Sequence, residues 1–160
     1  MDALITQLTS ASRTGDLDAL NQLIAQGANL NGKDEKGFTP LIIACYNNQP
    51  NAAELLIDAG ADVNEADFGG NTALMGACFK GYADVANLLI VKGADLDQQH
   101  GNGGTALMFA AMFGRNELVK KLLAAGADTT IVDSRGLSVF DLAAQQGNEE
   151  AIDILEQAQS

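Results

Sequence analysis

Tryptophan is absent from this chain, and several other residue types are scarce. Among 160 residues there are two cysteines, two prolines and a single histidine, His100, and nine Lys and Arg stand against 21 Asp and Glu. Each shortage excludes something. One histidine, with no base beside a nucleophile, cannot assemble a Ser/His/Asp or Cys/His set. No Cys/His cluster surrounds His100, so it is expected to be an exposed loop residue and no metal site is expected. The carboxylates would need a cleft to act as an acid–base pair, and no insertion supplies one. The chain therefore reads as not an enzyme, with no cofactor and no metal.

The formal charge of −12 points the same way. Nine scattered cations cannot neutralise a row of phosphates, so nucleic acid is not an expected partner, nor is an anionic membrane surface. No stretch approaches the ~18 apolar residues of a membrane span. The start, MDALITQLTS, has an acid at position two and neither the basic lead nor the apolar run of a secretory signal. The cytoplasm is the expected location; a form exported after removal of a leader would read the same.

What the chain does have is repetition. Thr72 to Asp97 reads as two short helical patterns separated by Gly81 and closed by a Gly-Ala-Asp turn. Neither pattern is long enough to stand alone, since helices under about 12 residues are marginal in water. A shift of 33 residues in either direction finds the pattern again, and five copies keep one register. Leu8, Leu41, Leu74, Leu107 and Phe140 share one position; Ala11, Ala44, Ala77, Ala110 and Ala143 share another. A 33-residue period implies stacked helical hairpins.

Gly37-Phe38-Thr39-Pro40-Leu41, Gly60-Ala61-Asp62-Val63-Asn64 and their copies closely resemble the ankyrin repeat family, over nearly the whole chain. The chain departs from that family's Thr-Pro-Leu-His in two ways: only the second repeat keeps the proline, Pro40, and Ile42, Met75, Met108 and Asp141 stand where the histidine would be. The resemblance implies an all-α solenoid of five stacked helix-turn-helix repeats with β-turn or hairpin fingers. The expected domain is 1–160, with repeats at about 1–33, 34–66, 67–99, 100–132 and 133–160. Small free-standing bacterial ankyrin proteins have this look.

Individual positions carry further expectations. Asp34, Asp67 and Asp133, with Asp62, Asp95 and Asp128, read as turn formers whose side chains accept backbone N–H groups. Asn48 stands where other copies have Gly15, Gly81, Gly114 and Gly147, a position expected to need positive φ. In the first copy, Thr9, Ser10 and Ser12 replace Ile42, Ile43 and Cys45, and Gln22 replaces Leu55; a polar, solvated capping face is expected there. Glu156, beside Glu149, Glu150 and Asp153, marks an equivalent face at the other end, with no further repeat and a monomer expected. Cys45 and Cys78, one repeat apart, are too far apart for a disulfide and are expected as free thiols. The finger Asp95 to Thr105 is glycine-rich but lacks the Gly-Lys-Ser/Thr of a phosphate loop; it is expected to be bare and mobile.

In ankyrin proteins, partner contacts come from the fingertips and the exposed side of the first helix. Carried over by position, that surface implies protein binding through Phe38, Tyr46, Phe68, Phe79, Lys80, Met112, Phe113 and Arg135. Phe109 and Phe140 sit where Ile43 and Leu41 do and are assigned to the core. The expected function is a non-catalytic interaction scaffold with an apolar, aromatic groove and an acidic surround. The alternative is a dedicated inhibitor, immunity or accessory protein for one enzyme or toxin.

Overall fold

Every predicted hairpin forms, and the last four begin with a hydroxyl. Thr39, Thr72 and Thr105 lie in extended backbone and accept the N–H of Ile42, Met75 and Met108 at 3.2, 3.3 and 3.3 Å. Ser138 and Asp141 cap each other's backbone reciprocally. Such caps contribute about 1 kcal/mol each. The computed structural model describes residues 3–159. Met1, Asp2 and Ser160, at the ends of the expected domain and including the acid at position two, lie outside the described residues.

Ten helices follow in pairs: α1 (Ala3–Thr14) with α2 (Leu17–Ala25), α3 (Pro40–Tyr46) with α4 (Pro50–Asp58), α5 (Ala73–Lys80) with α6 (Ala83–Val91), α7 (Ala106–Met112) with α8 (Asn116–Ala124), and α9 (Val139–Gln145) with α10 (Glu149–Ala158). The architecture is an all-α solenoid, with no strand among the described residues and one isolated antiparallel bridge between Ala66 and Thr72. At the break inside the second pair Asn48 has φ 55°, and the matching Gly81 has φ 78°, as the glycine pattern predicts.

Each first helix packs on the next, more closely than most neighbouring second helices do, so the first helices form the inner, concave row. The alanines at the shared position allow that approach: Ala44, Ala77, Ala110 and Ala143 are fully buried and Ala11 nearly so. Leu8, Leu41, Leu74 and Leu107 fill the same seam, with Phe140 half-buried beside them. Cys45 and Cys78 are free, buried thiols, and burial pushes each up to about 12.

Two expectations fail at the N-terminal end. Thr9 and Ser12 do not make a solvated face. Ser12 is fully buried and Thr9 is 8 % exposed. Their hydroxyls donate to Leu8 O at 2.7 Å and Thr6 O at 2.9 Å. A hydroxyl that satisfies itself on the preceding helical turn can occupy an apolar seam without an orphaned donor. Ser10 and Gln22 are exposed, as expected, and so are Glu149, Glu150, Asp153 and Glu156 at the far end.

The turn carboxylates behave as predicted. Asp34, Asp67 and Asp133 each accept two backbone N–H bonds within their own finger, at 2.9 to 3.0 Å. A second series runs between pairs. Asn31 Oδ1 accepts the Asp62 N–H (2.8 Å), Asn64 Oδ1 that of Asp95 (2.7 Å), and Asp97 Oδ1 that of Asp128 (2.8 Å). This ladder joins successive turns by side-chain-to-backbone hydrogen bonds.

Candidate functional site

A groove of ≈ 450 Å³ opens on the concave side, between the second and third pairs. Its cause is one position in α5. Gly76 stands where the neighbouring first helices have Ile43 and Phe109, and the missing side chain leaves the space empty. A glycine inside a helix costs about 1 kcal/mol relative to alanine. Here even a Cβ would lie 3.1 Å from Tyr46 Cδ1, so the ring leans directly over the gap. Ile42, Ile43, Met75 and Phe109 complete the apolar wall, and Phe38, Tyr46 and Phe79 rim it.

Three of the eight expected site residues therefore meet in one place: Phe38, Tyr46 and Phe79. Phe38 and Phe79 are half-buried, and Tyr46 is 45 % exposed. Two more attach to that cluster from outside. Phe113 meets Phe79 edge to face at 4.6 Å between centroids, and Lys80 Nζ sits 4.7 Å above the Tyr46 ring. Arg115 Nε donates to the Phe79 carbonyl at 3.3 Å, so the end of α5 is held by the following pair.

The other three fall elsewhere. Phe68 is 73 % exposed and lies across the neighbouring fingertip, where a Cβ on Gly37 would come within 2.5 Å of its Cγ. Lys33 Nζ, ion-paired to Glu65, stands 5.8 Å from its ring. Phe68 is thus a finger-to-finger contact, outside the groove. Met112 and Arg135 line a second depression, with His100, Phe109 and Leu142. Arg135 is engaged there by Asp133, Nη2 to Oδ2 at 2.9 Å. The Leu137 N–H and that guanidinium hold the Asp133 carboxyl below its usual range.

His100 corrects a further expectation. It is half-buried, tilted against Phe109 at 5.1 Å between centroids, and its Nδ1 accepts the Asn102 N–H at 3.4 Å, the role Asp has in other fingers. Nor is its finger loose. The Gly101 N–H donates to Gly69 O and the Ser134 N–H to Asn102 O, both at 2.9 Å, so the finger is tied on both sides. Glycine here permits backbone to meet backbone: a Cβ on Gly103 would lie 2.8 Å from Ser134 N.

Charge is segregated. The second helices carry nine carboxylates and two lysines, whereas the first helices carry only Arg13, Lys80 and Asp141. The acidic surround is therefore incomplete: Asp67 lines the groove, but Arg13 and Lys80 border it as well, and the first helices carry one carboxylate against nine on the second. Neither cation is in an ion pair among the described residues. Sequence reasoning left Gly76, Met75 and Phe109 out of the site. The signal for the first was present, a helix-interior glycine flanked one repeat away by Ile43 and Phe109.

The sequence model described as ankyrin repeats (3 copies) matches residues 8–100 and 88–159. The chain belongs to the ankyrin repeat family. Ankyrin repeats generally mediate protein–protein interaction, and proteins built from them are typically non-catalytic. None of the curated proteins compared with the chain matches it. Among the described residues of this ankyrin protein, no group of three or more His, Cys, Asp or Glu could hold a metal ion. No helix there is long and apolar enough to cross a membrane.

Proposed function

We propose that this ankyrin protein is a non-catalytic scaffold, acting as a monomer, that binds a partner protein through its first-helix and finger surface. The observation that carries this reading is the aromatic cluster on the concave side. Tyr46 and Phe113 are 45 % and 43 % exposed, Phe79 joins them, and the first helices carry a single carboxylate, Asp141, against nine on the second helices. Solvated aromatic side chains grouped in a concave surface are what binding hot spots are made of.

The test is capture of a partner from the native host on the purified protein, followed by measurement of its affinity. Phe79→Ala with Phe113→Ala should weaken binding about 30-fold for each 2 kcal/mol lost. Lys120, on the second-helix side in an ion pair with Glu117, is the control and should be near-neutral on truncation. Binding kept within about threefold by a folded double variant would remove this surface from the function. An activity assay on the captured protein separates a scaffold from the dedicated inhibitor, immunity or accessory role: only the second changes the partner's activity.

A further inference from the structure

We propose that the groove over Gly76 receives one bulky apolar side chain from a partner protein, and that the residue beside that side chain carries a carboxylate. The inference rests on the reading of the concave side as the binding surface and names the chemistry it selects.

The apolar half follows from the empty position. Gly76 lies between Ile43 and Phe109 in the row of first helices, and the surrounding side chains of Ile42, Met75 and Phe79 leave the space open. Alanine would be the cheaper helix residue by about 1 kcal/mol, yet its Cβ would press on the Tyr46 ring at 3.1 Å. A volume of ≈ 450 Å³ takes a Phe, Leu or Met side chain with room for its backbone to pass along the rim. Burying such a side chain fully is worth about 1.5–3 kcal/mol. The occupant is a protein segment because the apolar surface continues past the groove onto Phe113, which packs on Phe79.

The acidic half follows from which charges at the rim are already committed. Asp67 also lines the groove, but it is occupied. Its Oδ1 accepts the Gly69 and Asn71 N–H groups at 2.9 Å, and Asn71 Nδ2 lies 3.3 Å from both oxygens. It has little left to offer a basic ligand. Arg13 and Lys80 have no carboxylate partner among the described residues. Lys80 is held over the Tyr46 ring, and Arg13 lines the groove directly. Two uncommitted cations beside an apolar slot, in a chain of net charge −12, select a carboxylate next to the anchor.

A library of random linear peptides panned on the purified protein tests this. Enriched peptides are then synthesised with blocked ends and titrated, by fluorescence anisotropy, against the wild type, Gly76→Leu and the double variant Arg13→Glu with Lys80→Glu. The expected enrichment is Phe, Leu or Met beside Asp or Glu. Gly76→Leu improves helix propensity, fills the slot and shifts the Tyr46 ring, which lies 3.1 Å from the added Cβ; binding should fall at least tenfold. The double variant changes the charge at the rim but none of the apolar wall or the core; binding should again fall at least tenfold and partly recover when the peptide's acid becomes Lys. Failure to enrich any peptide, enrichment without that pairing, or affinity within threefold in either variant overturns the proposal. Amide chemical-shift mapping of a bound peptide separates the two readings. Shifts confined to other fingers and first helices refute the Gly76 slot alone; shifts on α4, α6 and α8 refute the concave surface as well.

Discussion

Phe79 and Phe113 meet edge to face, with ring planes at 75° and centroids 4.6 Å apart, although they do not occupy equivalent repeat positions. Phe79 aligns with Met112 one repeat on, so Phe113, one residue further, reaches back to it from the end of α7. The contact ties the third pair to the fourth on the solvent side of the seam. Edge-to-face pairs add about 0.5–1.5 kcal/mol beyond burial. A double-mutant cycle of Phe79→Ala and Phe113→Ala in urea unfolding should return a coupling of that size, with helical content unchanged. Additive losses would mean that the rings stabilise independently.

Asn64 tests the ladder. Asn64→Ala removes the acceptor of the Asp95 N–H bond and should cost about 1 kcal/mol. Asn64→Asp should be close to neutral, because Asp97 already makes the equivalent bond to the Asp128 N–H at 2.8 Å. Urea midpoints of the two variants check this, and equal losses would contradict it.

Asn48 should respond to its backbone. It is the one non-glycine residue with positive φ among the described residues. Asn48→Gly should hold or slightly raise the thermal midpoint, whereas Asn48→Ala should cost about 1–2 kcal/mol. Calorimetry of both variants decides the point.

The buried thiols predict an alkaline limb. Burial raises Cys45 and Cys78 from 9.0 to about 12 in the folded state. A group whose folded pKa is raised contributes stability that is full below the unfolded value and is lost as pH climbs to the folded one. Stability should therefore fall between about pH 9 and 12, and Cys45→Ala with Cys78→Ala should flatten that fall. Two thiols should titrate in the denatured, unreduced protein, while the native protein resists alkylation at neutral pH. A native reaction as fast as that of a free peptide thiol would contradict the burial.

Asp133 predicts the acid side. The Leu137 N–H, foremost among its partners, and Arg135 lower its pKa, so its contribution is present above the ordinary carboxylate value and is lost as pH falls through the lowered one. Asp133→Ala should destabilise the last finger at neutral pH and lessen the acid sensitivity of unfolding. An unchanged pH profile would refute the role of this carboxylate.

Much of the fold was legible because its determinants are local. The left-handed break at Asn48 and the carboxylate turns at Asp34, Asp67 and Asp133 each involve residues a few positions apart. The 33-residue spacing adds the one long-range fact a solenoid needs, that every hairpin meets a copy of itself.

The site was legible only as a set of candidates. Phe38, Tyr46 and Phe79 converge, while Phe68 lies over Gly37 and Arg135 is taken by Asp133. Periodicity assigns a residue to a face of its own hairpin. Which side chains from adjacent hairpins then touch depends on rotamers, on rise and twist between pairs, and on what the neighbour lacks. Ser12 could enter the seam because Leu8 O lies within reach, and His100 could replace a turn carboxylate because its Nδ1 accepts the Asn102 N–H while its ring packs on Phe109. The sequence by itself determined five hairpins, their caps and their inner row, since backbone bonding and apolar spacing suffice for those. The tertiary structure alone decided that the groove opens at Gly76 between Arg13 and Lys80, because a cavity is made by the side chains of several repeats around one that is missing.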